Sequence, residues 1–213
     1  MFSESKYWTD EDNSKMNAWL SDYLKWLSKS SLGRDGAKQT NNHGSLYQFQ
    51  LTALAWYLGD TKTLKRELKR TKTLMAKQID KQGAQKHELK RSKSFFYSCF
   101  NLDAITRTAI IADKAGDSLW DYPSSEESEL FQAINYLIPV AQGKPWPYPT
   151  KGINLIHDIL VLERYANKTG SDEHKALLKR MLDQTKVNAS SAKCGDAIYN
   201  SFELFKPDEL EEL

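Results

Sequence analysis

Two long apolar runs constrain the fold of this chain more than any other feature. One extends from Leu46 to Leu58, where Leu46, Phe49, Ala53, Trp56 and Tyr57 recur at helical spacing until Gly59-Asp60 closes it. The other, Ser94 to Lys114, is apolar on nearly every side and ends at Gly116-Asp117. A helix that is apolar all round has to be enclosed by other elements. No segment alternates apolar and polar residues with β-branched enrichment, so the chain reads as all-α.

Around these two runs the pattern predicts amphipathic helices. They cover about Ser14 to Ser28 (capped by Asp12 or Asn13), Thr61 to Asp80, and Ser124 or Ser125 to Leu137, followed by Ile153 to Asn167 and Asp172 to Thr185. Gly33-Arg34-Asp35-Gly36 reads as a turn, and Gly143-Lys144-Pro145-Trp146-Pro147-Tyr148-Pro149 as a stiff aromatic loop. Buried and amphipathic helices alternate through short loops. That is the pattern of an inner and an outer helical layer, as in an α/α toroid or a helical solenoid. No fixed-length repeat is visible, which disfavours a regular array. The expectation is a single domain over residues 1–213, with a polar tail from about residue 187 that holds one short turn near Ile198 to Leu204.

No apolar run approaches the length of a membrane span, and Met1 to Trp8 lacks the apolar core of a signal peptide. Cys99 and Cys194 make neither a disulfide framework nor a metal-ligand spacing, and Cys99 falls in an apolar helix as a core residue. The net charge of +2 hides an asymmetry: Thr61 to Lys93 holds twelve Lys or Arg against Glu67, Asp80 and Glu88. Such a segment fits a polyanionic partner, or simply a lysine-rich solvated helix face at Lys62, Lys65, Lys69 and Lys72.

Each apolar run is opened by a polar cluster, Asn41-Asn42-His43 before one and Arg91-Ser92-Lys93-Ser94-Phe95-Phe96-Tyr97 before the other. An outer helix between two inner ones returns the chain to the same rim, so both clusters are expected at one end of the inner layer. There they place two amides, an imidazole, a guanidinium, a phenol and the free N–H groups of helix N-termini together, a combination that suits an anion. The plainer reading makes Asn42 an N-cap, His43 a first-turn residue and Tyr97 a packed core residue. No matched carboxylate pair, Ser-His-Asp spacing, P-loop or zinc pattern stands out. The residue types suit β-elimination on a uronic acid. Neutralising the carboxylate makes the C5 proton removable, and a phenol or neutral imidazole can take it. With the leaving oxygen on the same face of the sugar, Tyr97 could serve as both base and acid.

Asn41-Asn42-His43-Gly44-Ser45-Leu46-Tyr47, with Gln50-Leu51-Thr52-Ala53-Leu54-Ala55 and Leu58-Gly59-Asp60, resembles the signature of the alginate lyase family of polysaccharide lyases. Glu88 to Ser98, with Phe100-Asn101-Leu102, is similar to that family's arginine-to-tyrosine motif, and Gly143 to Tyr148 to its aromatic loop. The resemblance spans about Trp19 to Arg164. It implies an incomplete α/α toroid that cleaves mannuronan-type alginate or a related polyuronate such as glucuronan, with no cofactor and no essential metal. It also implies Asn42 and Arg91 on the substrate carboxylate and His43 and Tyr97 in proton transfer. Asn41, Lys93, Trp146 and Tyr148 are expected to bind substrate. Family members are usually longer upstream and exported. The chain is therefore expected to be an N-terminally truncated form, from a periplasmic or secreted setting, that pairs as a homodimer or with a missing N-terminal half. The expected partner is an acidic polysaccharide, with no nucleic acid and no membrane. Two rivals stand beside this reading: a non-catalytic carbohydrate-binding remnant using Trp146, Tyr148 and the basic segment, and a helical nucleic-acid-binding or scaffold protein using residues 61–93.

Overall fold

The computed structural model describes residues 7–122, 128–153 and 155–191, and these fold into eight helices with no strand among them. They are α1 (Asp10–Lys29), α2 (Ser31–Ala37), α3 (Asn42–Tyr57), α4 (Thr61–Gln78), α5 (Ser94–Lys114), α6 (Glu129–Ala141), α7 (Ile156–Thr169) and α8 (Asp172–Ser191). The chain divides into two compact units, Met1–Val161 and Leu162–Leu213. The tail beyond residue 191, with the expected turn near Ile198 and with Cys194, lies outside the described residues.

In the first unit, α3 and α5 pack against each other, α4 packs on both, and α1 and α2 pack on α3. The two most apolar helices are thus the inner pair. Leu51 and Ala55 of α3, and Phe95, Cys99, Leu102, Ala104, Ile105, Ala109 and Ala112 of α5, are all but fully buried. Burial pushes the Cys99 thiol well above its ordinary range, so it is an inert core group. Helix α4 is the outer partner. Leu64, Leu68, Thr71, Met75 and Gln78 form its buried stripe, while Lys62, Lys65, Lys69 and Lys77 face solvent. Part of the basic charge in this segment is used internally. Glu67, fully buried, accepts from Arg66 Nε at 2.7 Å and from Arg70 Nη1 at 3.1 Å, and Lys72 pairs with Asp117.

Three sequence expectations are corrected. Helix α1 starts four residues earlier than expected because Thr9 and Asp12 form a capping box, in which Thr9 Oγ1 accepts from Asp12 N–H at 3.1 Å and Asp12 Oδ2 accepts from Thr9 N–H at 3.0 Å. The supposed turn at Gly33 to Gly36 is helix α2, capped by Ser30. Gly33 is needed there, since a Cβ would lie 1.7 Å from the Leu27 carbonyl oxygen. Helix α6, capped by Ser128, runs past Leu137 and through Pro139 to Ala141, because a proline in the last turn costs only one intrahelical bond. The second unit holds the end of α7 and α8, with Leu162, Tyr165, Ala166, Leu177 and Met181 buried and the Tyr165 and His174 rings 4.6 Å apart.

Candidate active site

The N-termini of α3 and α5 lie at the same rim, as the polar clusters anticipate, and the contact that joins them is a carboxylate. Glu88, 1% exposed, sits in the segment between α4 and α5. Its Oε1 accepts from the Asn42 backbone N–H at 2.7 Å and its Oε2 from Asn42 Nδ2 at 2.8 Å, across 46 residues of chain. The Glu88 carbonyl also accepts from the Arg91 N–H at 3.0 Å, so one residue holds Asn42 and starts the turn that carries Arg91. A negative charge at the N-terminus of α3 is favourable to the helix dipole.

This changes the anion-site expectation. The N-cap of α3 is Asn41, not Asn42: Asn41 Oδ1 accepts from the His43 N–H at 3.1 Å. With the Asn42 N–H on Glu88 and those of Gly44 and Ser45 on the Asn41 carbonyl, the first-turn donors of α3 are already engaged. The Ser94 N–H of α5 likewise goes to the Pro149 carbonyl. At the α3 end, what remains to meet a ligand are side chains rather than free backbone N–H groups.

Among the side chains of the rim, His43 is exposed, Asn41 and Arg91 are half-buried, and Lys93 is exposed at the N-cap of α5. The Arg91 guanidinium lies over the Tyr97 ring, 3.9 Å from its centroid, and Phe96 meets the same ring edge-on at 5.2 Å. Asn42 is 1% exposed, and its Oδ1 has no hydrogen-bond partner. Arg91 and Tyr97 are therefore in contact, and Asn42 is tied to them through Glu88.

The aromatic loop reaches this end of α5 too. Trp146 Nε1 donates to Ser94 Oγ at 2.7 Å, and Ser94 Oγ donates to the Pro149 carbonyl at 2.6 Å. The Trp146 ring packs on Phe95, Tyr136 and Tyr148 at 5.2 to 5.9 Å, and the Tyr136 and Tyr148 hydroxyls are 2.7 Å apart. Burial and that hydrogen bond push the Tyr136 hydroxyl far above its ordinary range. The polar ends of Trp146 and Tyr148 thus fasten the loop, leaving parts of both rings accessible.

Beneath the rim runs a buried amide network that the sequence pattern did not single out. Gln78 Nε2 donates to the Asn41 carbonyl and to Ser45 Oγ, both at 3.0 Å. Asn101 Nδ2 donates to Gln78 Oε1 at 3.2 Å and to Gln85 Oε1 at 2.8 Å, and Gln85 Nε2 donates to the Ser98 carbonyl at 3.1 Å. These bonds stitch α3, α4, the segment after α4 and α5 together, and such networks fix one arrangement of the elements they join. Glu88 was also missed as a site residue. Its signal was available, as the one acid between Asp80 and Asp103, lying inside the arginine-to-tyrosine motif.

Gly44 shows how tightly the rim is built. A Cβ there would lie 2.2 Å from the Gln39 carbonyl oxygen and 3.3 Å from Leu74 Cδ2. Gly44→Ala is expected to lower stability by about 2 kcal/mol, the ordinary size of an overpacking defect. A shift in the denaturant midpoint measures it, and an unshifted midpoint would contradict this account of the glycine.

No group of three or more His, Cys, Asp or Glu that could hold a metal ion occurs among the described residues, and none of the described helices is long and apolar enough to cross a membrane. The alginate lyase family matches residues 1–146. A solved alginate lyase from Bacteroides ovatus superposes with a TM-score of 0.73 at 26% identity, covering 84% of this chain and 49% of that one. This chain thus spans about half the length of that structure. No curated protein matches it. The fold is all-α, of the α/α-toroid type. With the family match extending over more than half of its residues, the chain belongs to the alginate lyase family.

Proposed function

We propose that the chain acts as a polysaccharide lyase on a polyuronate, either alginate of the polymannuronate type or glucuronan, by β-elimination. Arg91 and Asn42 face the carboxylate at C5 and hold the negative charge that develops as the C5 proton leaves. Tyr97 or His43 takes that proton. The C4–O bond then breaks, a C4=C5 double bond forms, and the leaving oxygen receives a proton, from Tyr97 where both events occur on one face of the sugar. Asn41, Lys93, Trp146 and Tyr148 contact neighbouring sugars. The family implies an acidic polysaccharide as partner and an extracellular or periplasmic setting.

The observation that carries this reading is the Arg91 guanidinium 3.9 Å from the centre of the Tyr97 ring. A guanidinium lying over a ring keeps its N–H donors, which lie in its own plane, available to a carboxylate. The same carboxylate would then sit beside the phenol that has to reach the C5 proton. The exposed Lys86, Lys90 and Lys93 on the segment before α5 add positive charge along the path of a polyanion.

The test is ultraviolet absorbance of the unsaturated uronate end, with polymannuronate, polyguluronate, glucuronan and hyaluronan offered separately. A rise with polymannuronate or glucuronan is the expected outcome. Retention on a polyuronate gel without any rise would favour a binding module that lacks the chemistry, and indifference to all four polymers would remove the carbohydrate reading.

A further inference from the structure

We infer that Glu88 is a positioning residue for the elimination, orienting the Asn42 amide rather than touching substrate; this rests on the lyase reading above. A carboxylate that is 1% exposed is costly to bury, and it persists only where donors replace the lost water. Both donors here come from one residue. The Asn42 backbone N–H meets Oε1 and the Asn42 side-chain amide meets Oε2.

The pairing carries orientational information that a neutral group would not. An ionised carboxylate only accepts hydrogen bonds, so the Asn42 amide must turn its nitrogen toward Glu88 and its oxygen away. The amide has two near-equivalent orientations, and Glu88 selects one of them. In that orientation Asn42 Oδ1 is buried without a partner, and Nδ2 gives one of its two hydrogens to Glu88. A glutamine at position 88 could still accept from the backbone N–H, but its own NH₂ would face Asn42. The Asn42 amide would then flip to offer its oxygen, and its NH₂, with the donor this reading assigns to the substrate carboxylate, would move to the side now held by Oδ1. The Glu88 carbonyl also accepts from the Arg91 N–H, so the same residue sets the relative position of the two groups assigned to the carboxylate.

Glu88→Gln preserves volume and removes only the charge and one acceptor. The expected result is a fall in kcat of about a hundredfold, the size seen when one preorganised donor is lost, with KM within about threefold and the thermal midpoint within a few degrees. Glu88→Asp keeps two acceptors at shorter reach and is expected to lose about tenfold in kcat. A purely structural role would instead lower the midpoint and leave kcat of the folded fraction unchanged, which would overturn the inference. If the glutamine variant does not fold, the aspartate variant decides on the same split: a tenfold fall in kcat at constant KM supports positioning, and an unchanged kcat overturns it. The two readings fail differently. A wild-type chain silent on every polyuronate defeats the lyase reading and the positioning role with it. An active wild type matched by an equally active Glu88→Gln defeats the positioning role alone.

Discussion

Tyr97→Phe is expected to lower turnover on the preferred polyuronate by about three orders of magnitude, within the range contributed by a positioned general acid or base. The substitution removes one hydroxyl and keeps the ring. The Arg91 guanidinium 3.9 Å from the ring centroid and the Phe96 edge contact at 5.2 Å both act on the ring itself. The fold should therefore hold, with the thermal midpoint within a few degrees of wild type. His43→Ala should cut the rate by about a hundredfold or more if the imidazole takes part in proton transfer. Its cost to stability should be small, since the side chain is exposed and it is the His43 backbone N–H that bonds Asn41. Initial rates from the ultraviolet signal, normalised to folded protein, decide the matter. Near-wild-type rates in both variants would mean that the proton is moved by other groups.

The second large effect concerns stability and comes from a buried acid. Asp158, in the first turn of α7, is 4% exposed, its Oδ2 has no partner, and burial pushes its pKa from 3.8 up to about 7. Below the unfolded value both states hold the proton, and the folded protein bears no penalty. As the pH rises toward about 7 the unfolded chain releases this proton while the folded one keeps it, so stability falls through that window and levels off above it. The whole shift corresponds to roughly 4 kcal/mol at about 1.4 kcal/mol per unit, and most of it falls between about pH 4 and about pH 7. Asp158→Asn removes the titration. Its stability relative to wild type should therefore improve by roughly 3 kcal/mol between those two pH values. Denaturant unfolding of both proteins at each pH measures the difference, and a gap that does not change with pH would refute the assignment. Glu129 and Glu163 are shifted in the same direction by burial and add to this fall, whereas Asp12 and Asp60, held low by their hydrogen bonds with Thr9 and Thr63, act with the opposite sign at lower pH.

Helix α5 shows how far local pattern carries. Its bounds, Ser94 to Lys114, were legible because every turn of it is apolar and Gly116 stops it with a φ of 74°. The start of α4 was legible too, where Asp60 caps the helix through the Thr63 N–H, but the helix ends at Gln78 rather than Asp80, with Ile79 already extended. Errors came where a short-range signal was overlooked or ambiguous. The Thr9–Asp12 capping box extended α1, and the serine cap at Ser30 turned an apparent glycine turn into α2. At Asn41-Asn42 two adjacent amides can each cap a helix, and local chemistry does not choose between them. The choice follows from Glu88, which takes the backbone and side-chain donors of Asn42 and leaves the capping role to Asn41.

The sequence by itself determined the helical class, the two inner helices and the residue types gathered at their N-termini. Those properties follow from periodicity, helix stop signals and the chemistry of single side chains, all read within a turn or two of chain. Only the tertiary structure decided which donors remain at the rim. Asn42 meets a carboxylate 46 residues away, Ser94 meets the Pro149 carbonyl 55 residues away, and Asn101 joins Gln78 to Gln85 beneath them. Hydrogen bonds between distant segments are set by how helices pack, and buried polar groups take whatever partner that packing brings within reach.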